Sequence, residues 1–520
     1  MEALRKGAER SPAPSEGGAL VFIGFMGSGK STAARSVAAE LETEWLDSDH
    51  ELERELGEPL EAFFDREGEP AFRAREEEVV LRLLSRPDAR VVALGGGAVQ
   101  SPRVQQALAR HTVVHLDVAI DDAWRRSSGQ GRPLARDLAG FEQLHRERWP
   151  LYESLADASL PGSGREVARR ALPAVLALRE RAPGGSRLLW AAAESAEYPV
   201  FVGRGLLAAG FFHPLDGRRF VVTDEQVDRH HRIQAEERIV IMAGEEQKTI
   251  FRAEFVLRHL AQSGAERGDL LVALGGGVVG DLTGFCAAIY QRGMRYVQLP
   301  TTLVAQIDSA YGGKTGVDLP EGKNYVGAYH QPAAVITDPA ALDTLAPEDL
   351  AAGYAEVVKT ALIAGGPLWT RVRHRGEVDE EIIVGCVRTK LAIVAEDERD
   401  AGRRQVLNLG HTIAHAIEAA TGYGRYRHGE AVGIGLLCAL RLSGREALRR
   451  EVGELLAARG LPLSFSGADV DDVLAAVERD KKKRGGSVRF VLVEAPGRVS
   501  FGHEVELADV RAAVEEVHDR

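Results

Sequence analysis

Short apolar runs recur along the chain, separated by stretches in which apolar positions return every three or four residues. LVFI at 20–23, VVALGG at 91–96 and TVVHLDV at 112–118 have the length and composition of buried strands, and helical spacing fills Ser31–Leu41 and the later intervals. Alternation of this kind predicts an α/β fold with a parallel sheet covered on both faces. The same rhythm resumes after residue 187, where VFVG, FVVTD, IVIM, LLVALGGG and YVQLPTT are strand-like through about residue 340. From 341 onward Ala, Leu, Glu and Arg dominate, and no clear strand returns until VRFVLV near 488–493, which predicts a mostly helical domain. The expected organisation is a polar tail at 1–17, an α/β domain at 18–175, a linker at 176–187 centred on the Gly-rich 183–187, a second α/β domain at 188–340 and a helical domain at 341–520.

A chain of 520 residues is too long for one ordinary core. Its 45% hydrophobic and 27% charged residues are a globular balance, and a formal net charge of -12 argues against nonspecific nucleic-acid binding. Anionic ligands therefore need a local convergence of basic side chains. No apolar run is long enough to cross a membrane, and the N-terminal stretch has no apolar signal core. The three cysteines, Cys286, Cys386 and Cys438, form no CxxC pair, which suits buried thiols in a reducing cytoplasm.

Residues 24–32 read GFMGSGKST, between a strand and a helix. Gly24, Gly27 and Gly29 permit a tight loop whose N–H groups, with Ser28 and the helix start, face phosphate oxygens. Lys30 reaches the outer phosphates, and Ser31 offers a hydroxyl to Mg²⁺. This loop specifies a nucleotide but not the acceptor. WLDSDHELE at 45–53 sets Asp47 and Asp49 on alternate positions of a strand end. FR at 72–73 within FRxxE, GGG at 95–97, GRPL at 131–134 and RWPLY at 148–152 follow. In this order, over residues 19–175, the chain resembles shikimate kinase. The resemblance implies ATP held by Gly27, Ser28, Gly29, Lys30, Ser31 and Thr32, with Mg²⁺ on Ser31 and Asp47. It implies that Asp49 holds the acceptor hydroxyls and takes the proton. Arg73 and Arg148 would grip the shikimate carboxylate, Gly96 would lie beside the ring, and Arg132 would close over the transferring phosphoryl group. Either Arg125 or Arg126 would flank adenine.

In the second half, LLVALGGGVVGDLTG (270–284) is surrounded by GEEQKT (244–249), PTT (300–302), DSAYGGKTGVD (308–318) and GKN (322–324). GYAEVVKTALI (353–363), NLGHTIAHAIE (408–418) and RHGEAVGIG (427–435) follow. His411 and His415 are four apart and share a helix face. With His428 and Glu356 they offer the nitrogen and oxygen ligands of a catalytic metal site that keeps one position open. Spacing alone leaves both His411 and His415 eligible.

The whole series resembles 3-dehydroquinate synthase over about residues 188–500. That resemblance selects Glu356, His411 and His428 as ligands of Zn²⁺ or Co²⁺ and makes His415 either a contact of the substrate phosphate or a residue just outside the metal ligands. It implies NAD⁺ contacts at Asp224, Glu245, Lys248, Gly276, Gly277, Asp281, Thr301, Thr302, Asp308 and Lys323. Substrate contacts would come from Lys314, Asn324, Lys359, Lys390, Arg404, Asn408 and Lys481, with Lys482 able to exchange with Lys481. Arg292 would come from a neighbouring subunit of a homodimer. Lys30, Asp49, Arg132, Lys314, Lys359, Lys390, Arg404 and His415 would carry the chemistry. Asp400 stands where the family commonly has glutamate, Ala414 where it has glycine and Tyr311 where it has a small aliphatic residue.

The implied activities are ATP-dependent phosphorylation of shikimate and conversion of 3-deoxy-arabino-heptulosonate 7-phosphate to 3-dehydroquinate. The second would use catalytic NAD⁺ and a divalent metal. These are nonconsecutive steps, so no direct channelling between the sites is expected. The expected partners are small molecules, with neither nucleic acid nor membrane.

Overall fold

The computed structural model describes residues 18–128, 137–162, 165–212, 215–375, 377–483 and 488–519. The polar tail, Arg132 and the side chains of Lys481 and Lys482 lie outside what is described. The chain divides into two compact units. One comprises residues 1–190 with 199–215, and the other 191–198 with 216–520.

In the first unit, buried β1 (Leu20–Ile23) leads through the Gly-rich loop to α1 (Lys30–Glu40). β2 (Trp45–Asp47), α2 (Ser48–Leu56), α3 (Leu60–Glu67), α4 (Glu69–Leu84) and β3 (Val91–Ala93) follow. Then come α5 (Pro102–Leu108), β4 (Thr112–Asp117), α6 (Ile120–Ser127), α7 (Leu138–Leu155), β5 (Ala158–Pro161), α8 (Arg165–Arg181) and β6 (Arg187–Ala192). The strands pair in parallel in the order β2-β3-β1-β4-β5-β6. β1 sits where the chain stops adding strands on one side and starts on the other. The loops leaving β1 and its neighbours therefore diverge, opening a crevice at their carboxyl ends.

The expected linker is shorter than 176–187. Helix α8 continues to Arg181 with Ala177 and Leu178 buried, and β6 begins at Arg187. An amphipathic Ala/Leu/Arg stretch keeps its helix until the glycines interrupt it.

The second unit contains β8 (Arg219–Asp224), which follows β7 (Glu197–Val202), itself spanning the division. Its α/β part continues with α9 (Glu225–His230), β9 (Glu237–Ile241), α10 (Ile250–Gln262), β10 (Leu270–Gly275), α11 (Gly277–Ile289), β11 (Arg295–Pro300), the hairpin β12 (Lys314–Leu319)–β13 (Gly322–Tyr329) and β14 (Ala334–Thr337). The parallel order is β14-β11-β10-β8-β9, with its switch point between β8 and β10.

Helices then dominate, as the sequence pattern predicts: α12 (Pro347–Ala364), α13 (Gly366–Arg375), α14 (Glu380–Glu396), α15 (His411–Ala420), α16 (His428–Leu442), α17 (Glu446–Ala457) and α18 (Val470–Lys483). The chain closes with β15 (Arg489–Ala495), β16 (Arg498–Glu504) and α19 (Leu507–Glu515). Among the described residues no helix is long and apolar enough to cross a membrane. The three cysteines are free and buried. Burial pushes the Cys286 and Cys438 thiols up to about 12, so neither forms a thiolate near neutrality.

Candidate active sites

In the first unit the loop after β1 adopts left-handed backbone at Gly27 and Gly29, with φ of 75° and 87°. A Cβ on Gly27 would also stand 2.7 Å from the Ala123 carbonyl oxygen, so both conformation and space demand glycine there. Lys30 opens α1 and its Nζ donates to the carbonyl oxygens of Gly24 and Phe25, each at 3.0 Å. Ser31 and Thr32 follow on the exposed first turn, while Ser28 is fully buried inside the loop. Arg126 donates to the carbonyl oxygens of Gly27 (3.3 Å) and Gly162 (2.8 Å), whereas Arg125 is exposed and pairs with Asp122.

The two aspartates do not alternate along a strand. β2 ends at Asp47, whose Oδ1 accepts from the backbone N–H of Asp49 (2.9 Å) and His50 (3.3 Å). An aspartate in extended backbone ahead of free N–H groups caps a helix, so Asp49 lies in the first turn of α2. Asp49 nevertheless reaches the GGG turn. A Cβ on Gly95 would lie 2.4 Å from Asp49 Oδ1 and 2.7 Å from Glu76 Oε1. Gly97 is packed equally closely by the Arg73 guanidinium, and Gly96 accepts a hydrogen bond from the Tyr152 hydroxyl.

Arg73 pairs with Glu76 at 2.6 Å and Glu69 at 3.0 Å. Arg148, from α7, is 4% exposed; among the described residues it has no ion pair, and its Nε has no hydrogen-bond partner. Burial lowers its pKa, and burial raises that of Glu76 against the pull of Arg73. Glu76 was given no role in the sequence reading. Its signal was the FRxxE spacing, which puts Arg73 and Glu76 on one helix face.

In the second unit, Asp224 at the end of β8 and Gly276 and Gly277 at the end of β10 flank the switch point, where open α/β sheets bind ligands. A cleft of about 460 Å³ is lined by these three residues with Thr301 and Thr302. Gly276 is needed for close approach, since a Cβ there would meet Thr302 Cγ2 at 2.8 Å. Asp224 caps α9 through Oδ1. Buried Lys248 bonds Asp281 at 2.8 Å and lies 3.7 Å from Glu245. Lys323 lies 4.0 Å from Glu245 and 5.2 Å from the centre of the Tyr423 ring.

A larger cavity of about 1480 Å³ includes Glu245, Lys323, Asp400, Asn408, His411 and His415 in its wall. Behind it runs a chain of ions. Asp308, carried on the π-helical turn Ala305–Ser309, pairs with Lys390 and, at 3.3 Å, with Lys359. Lys359 also pairs with Glu356, both being 1% exposed. Burial opposes ionisation of Asp308 and Glu356, but Lys390 and Lys359 beside the first, and Lys359 and the histidines beside the second, hold both carboxyls below the usual range. Asp400 pairs with Lys314 and Tyr311 is buried with its hydroxyl on the Gln306 carbonyl, so neither of these departures leaves a gap. Asn324 stands at φ +57° near the start of β13, and Arg292 is exposed at φ +66° just after α11.

Arg404, expected as a substrate contact, is buried in this structure. It is 2% exposed, and its guanidinium donates to the carbonyl oxygens of Glu398 and Gly312. A chain segment that returns under the 312–314 turn needs its buried carbonyls satisfied, and Arg404 does this.

His411, His428 and Glu356 meet at one point, with one potential ligand atom from each lying within 4.8 Å of the others. Glu356 Oε1 is 3.5 Å from His411 Nε2 and 3.4 Å from His428 Nε2, and neither carboxylate oxygen makes a well-oriented hydrogen bond. His411 Nδ1 lies 3.2 Å from the Leu409 carbonyl oxygen. A carbonyl only accepts, so Nδ1 carries the proton and Nε2 presents its lone pair. Burial and the Lys359 charge hold His411 down to about 3. Burial works against the His428 imidazolium, but Glu356 and Glu418 outweigh it and raise its pKa to about 9. Two imidazoles and a carboxylate with lone pairs directed at one centre fit a divalent cation, which would displace that proton. His415 is exposed on the cavity wall, its ring centre 5.4 Å from that of His411.

Comparison with known proteins finds two enzyme families along the chain. Residues 26–175 match the shikimate kinase family model, residues 238–352 the 3-dehydroquinate synthase N-terminal model and residues 353–483 the 3-dehydroquinate synthase C-terminal model. A 3-dehydroquinate synthase of Nitrobacter winogradskyi is 43% identical over 351 residues, covering 60% of this chain and 91% of that protein. The 2-epi-5-epi-valiolone synthase of Streptomyces hygroscopicus, solved with NAD⁺ and Zn²⁺ bound, is 27% identical at a TM-score of 0.57, covering 63% of this chain and 98% of that one. A 2-deoxy-scyllo-inosose synthase complexed with carbaglucose-6-phosphate, NAD⁺ and Co²⁺ shares the fold at 22% identity and a TM-score of 0.55, covering 64% of this chain and 99% of that one. The chain belongs to the 3-dehydroquinate synthase family and carries a shikimate kinase domain ahead of its synthase domain.

Proposed function

We propose that the first unit phosphorylates shikimate with MgATP and that the second converts 3-deoxy-arabino-heptulosonate 7-phosphate to 3-dehydroquinate and phosphate. The observation that carries the second assignment is the convergence of Glu356, His411 and His428 beside the Asp308–Lys359–Lys390 ion chain. The switch-point cleft in the same unit supports it. When bound, NAD⁺ would accept a hydride and return it, and the divalent ion would polarise substrate oxygens. Glu356, His411 and His428 would hold the ion. Asp224, Gly276, Gly277, Thr301 and Thr302 would hold the dinucleotide, with Lys248, Asp281, Glu245 and Lys323 closing over it. Lys390, Lys314, Asn324, Asn408 and His415 would orient the carboxylate and phosphate, while Lys359 keeps Glu356 and Asp308 ionised and in place.

In the kinase, Lys30 and the α1 N-terminus would neutralise the transferring phosphates. Asp49 would take the acceptor proton, and Arg148, buried with no ion pair among the described residues, would meet the shikimate carboxylate together with Arg73. The test supplies each substrate separately. Shikimate with MgATP should yield ADP and a phosphoester, and the heptulosonate phosphate with NAD⁺ and zinc should yield phosphate; failure of either removes that half of the proposal.

Arg73→Lys is expected to raise the shikimate KM roughly tenfold to a hundredfold, since an ammonium cannot reproduce a two-pronged guanidinium contact and one charge-assisted bond contributes about 1.5–3 kcal/mol. An unchanged KM in steady-state assays counts against the carboxylate role.

The proposal extends to a cytoplasmic homodimer, supported by the free, unreactive thiols and by Arg292, which is exposed on a left-handed turn where a partner could use it. If Arg292 serves the partner's site, Arg292→Ala and His411→Ala chains, each inactive as a synthase, complement one another. Random exchange in a two-fold dimer then restores about a quarter of the wild-type rate. No recovery after subunit exchange rules out service in trans.

A further inference from the structure

Helix α15 presents three polar side chains at intervals of four and three residues: His411, His415 and Glu418. That spacing lines them along one face. The first two have roles in the reading above, whereas Glu418 has none. It is a carboxylate 3% exposed, and burying an ionised carboxylate is costly unless partners compensate it. Its partners are specific: Oε1 lies 3.3 Å from His428 Nδ1 and 3.7 Å from Lys323 Nζ. The opposite ring nitrogen of the same histidine, Nε2, faces Glu356.

We infer that Glu418 is a positioning residue for the metal centre: by accepting the Nδ1 proton of His428 it sets that ring's orientation and directs Nε2 at the ion. The inference rests on the metal-site reading proposed above. His411 obtains the same service from the Leu409 carbonyl, and the two Nε2 atoms arrive at nearly equal distances from Glu356 Oε1, 3.5 and 3.4 Å. A carbonyl is fixed by the backbone, but a carboxylate needs its own restraint. Lys323 supplies a countercharge, and that lysine in turn approaches Glu245 and the Tyr423 ring. Outer partners of this kind raise the basicity of a ligating imidazole and remove its rotational freedom.

The test strips the full-length protein of metal and titrates it with zinc against a chromophoric chelator at fixed pH. Wild type, Glu418→Gln, His428→Ala and the double variant are compared, with melting of the metal-free proteins as a check on folding. Glu418→Gln is expected to weaken zinc about 10–100-fold. In the His428→Ala background the same change should have no further effect, because it acts through that ring. Equal affinity of wild type and Glu418→Gln overturns the inference and leaves the metal centre intact. Failure of the wild type to bind zinc overturns the metal-site reading, and this inference with it. A second zinc equivalent in wild type that is lost in Glu418→Gln also overturns it, by making the carboxylate a ligand of its own ion through His415, Glu418 and His428. If Glu418→Gln does not fold, Glu418→Asp, which retracts the charge by one methylene, is read in the same way: weakened zinc is expected, and unchanged affinity overturns the inference.

Discussion

Replacing Lys30 with alanine is expected to remove shikimate phosphorylation while 3-dehydroquinate formation continues at the wild-type rate. Lys30 opens α1 and its ammonium rests on the Gly24 and Phe25 carbonyl oxygens, so it is held at the mouth of the phosphate loop. The loop's N–H groups survive the substitution and still bind a nucleotide; what disappears is the point charge held beside the outer phosphates. Loss of one such preorganised electrostatic contact typically costs about 10²–10³ in rate. The measurement is ADP release dependent on shikimate, with phosphate release from the heptulosonate substrate as the internal control. Loss of both activities would mean that the two units depend on one another for function.

Lys359→Met should damage the second unit in both stability and activity. Lys359 is 1% exposed and stands between two carboxylates, Glu356 and Asp308. With the ammonium gone, among the described residues Glu356 keeps the two histidines as ion-pair partners and Asp308 keeps Lys390. Breaking a buried pair while leaving the partner ion costs about 3–5 kcal/mol. In the metal-free protein this lowers the melting transition of that unit by about 5–8 °C. Activity should fall further, because Glu356 would take up a proton or turn away from the histidines. The kinase unit supplies the control: its melting transition and rate should not move. A synthase unit that melts normally and turns over normally with methionine at 359 would refute the structural role given to this chain of ions.

The parts legible in the sequence are those where local chemistry alone dictates geometry. The loop at 24–32 and the turn at 275–277 are legible because only glycine tolerates the backbone or the close approach there, and each sits between a strand and a helix in the sequence pattern. A metal site built from Glu356, His428 and a histidine of the 411/415 pair was legible from residue type and helical spacing, but the choice of His411 came from family resemblance, since three separate helices supply the ligands. Spacing alone left His415 as eligible as His411, and the fold turns His415 into the cavity beside the metal ligands. Asp47 and Asp49 were misread as strand neighbours because capping chemistry competes with strand extension at that point, and the cap formed. The backbone contacts of Arg404 were not legible because a basic residue in a motif carries no mark of which carbonyls the fold buries beside its guanidinium. Glu418 and Glu76 lay inside quoted motifs, yet their partners became visible only once the helices were packed.

The central claim is that one chain combines a kinase with a synthase that keeps its NAD⁺ through turnover, and the second half of that claim separates this protein from a dehydrogenase built of the same parts. The direct measurement supplies the heptulosonate phosphate with zinc and with NAD⁺ far below substrate, and follows phosphate release together with absorbance of NADH. The expected result is many phosphates released per NAD⁺ with no accumulation of NADH, and loss of phosphate release on addition of chelator or in His411→Ala. NADH rising in step with product, and turnover stopping when NAD⁺ is exhausted, would contradict the synthase assignment.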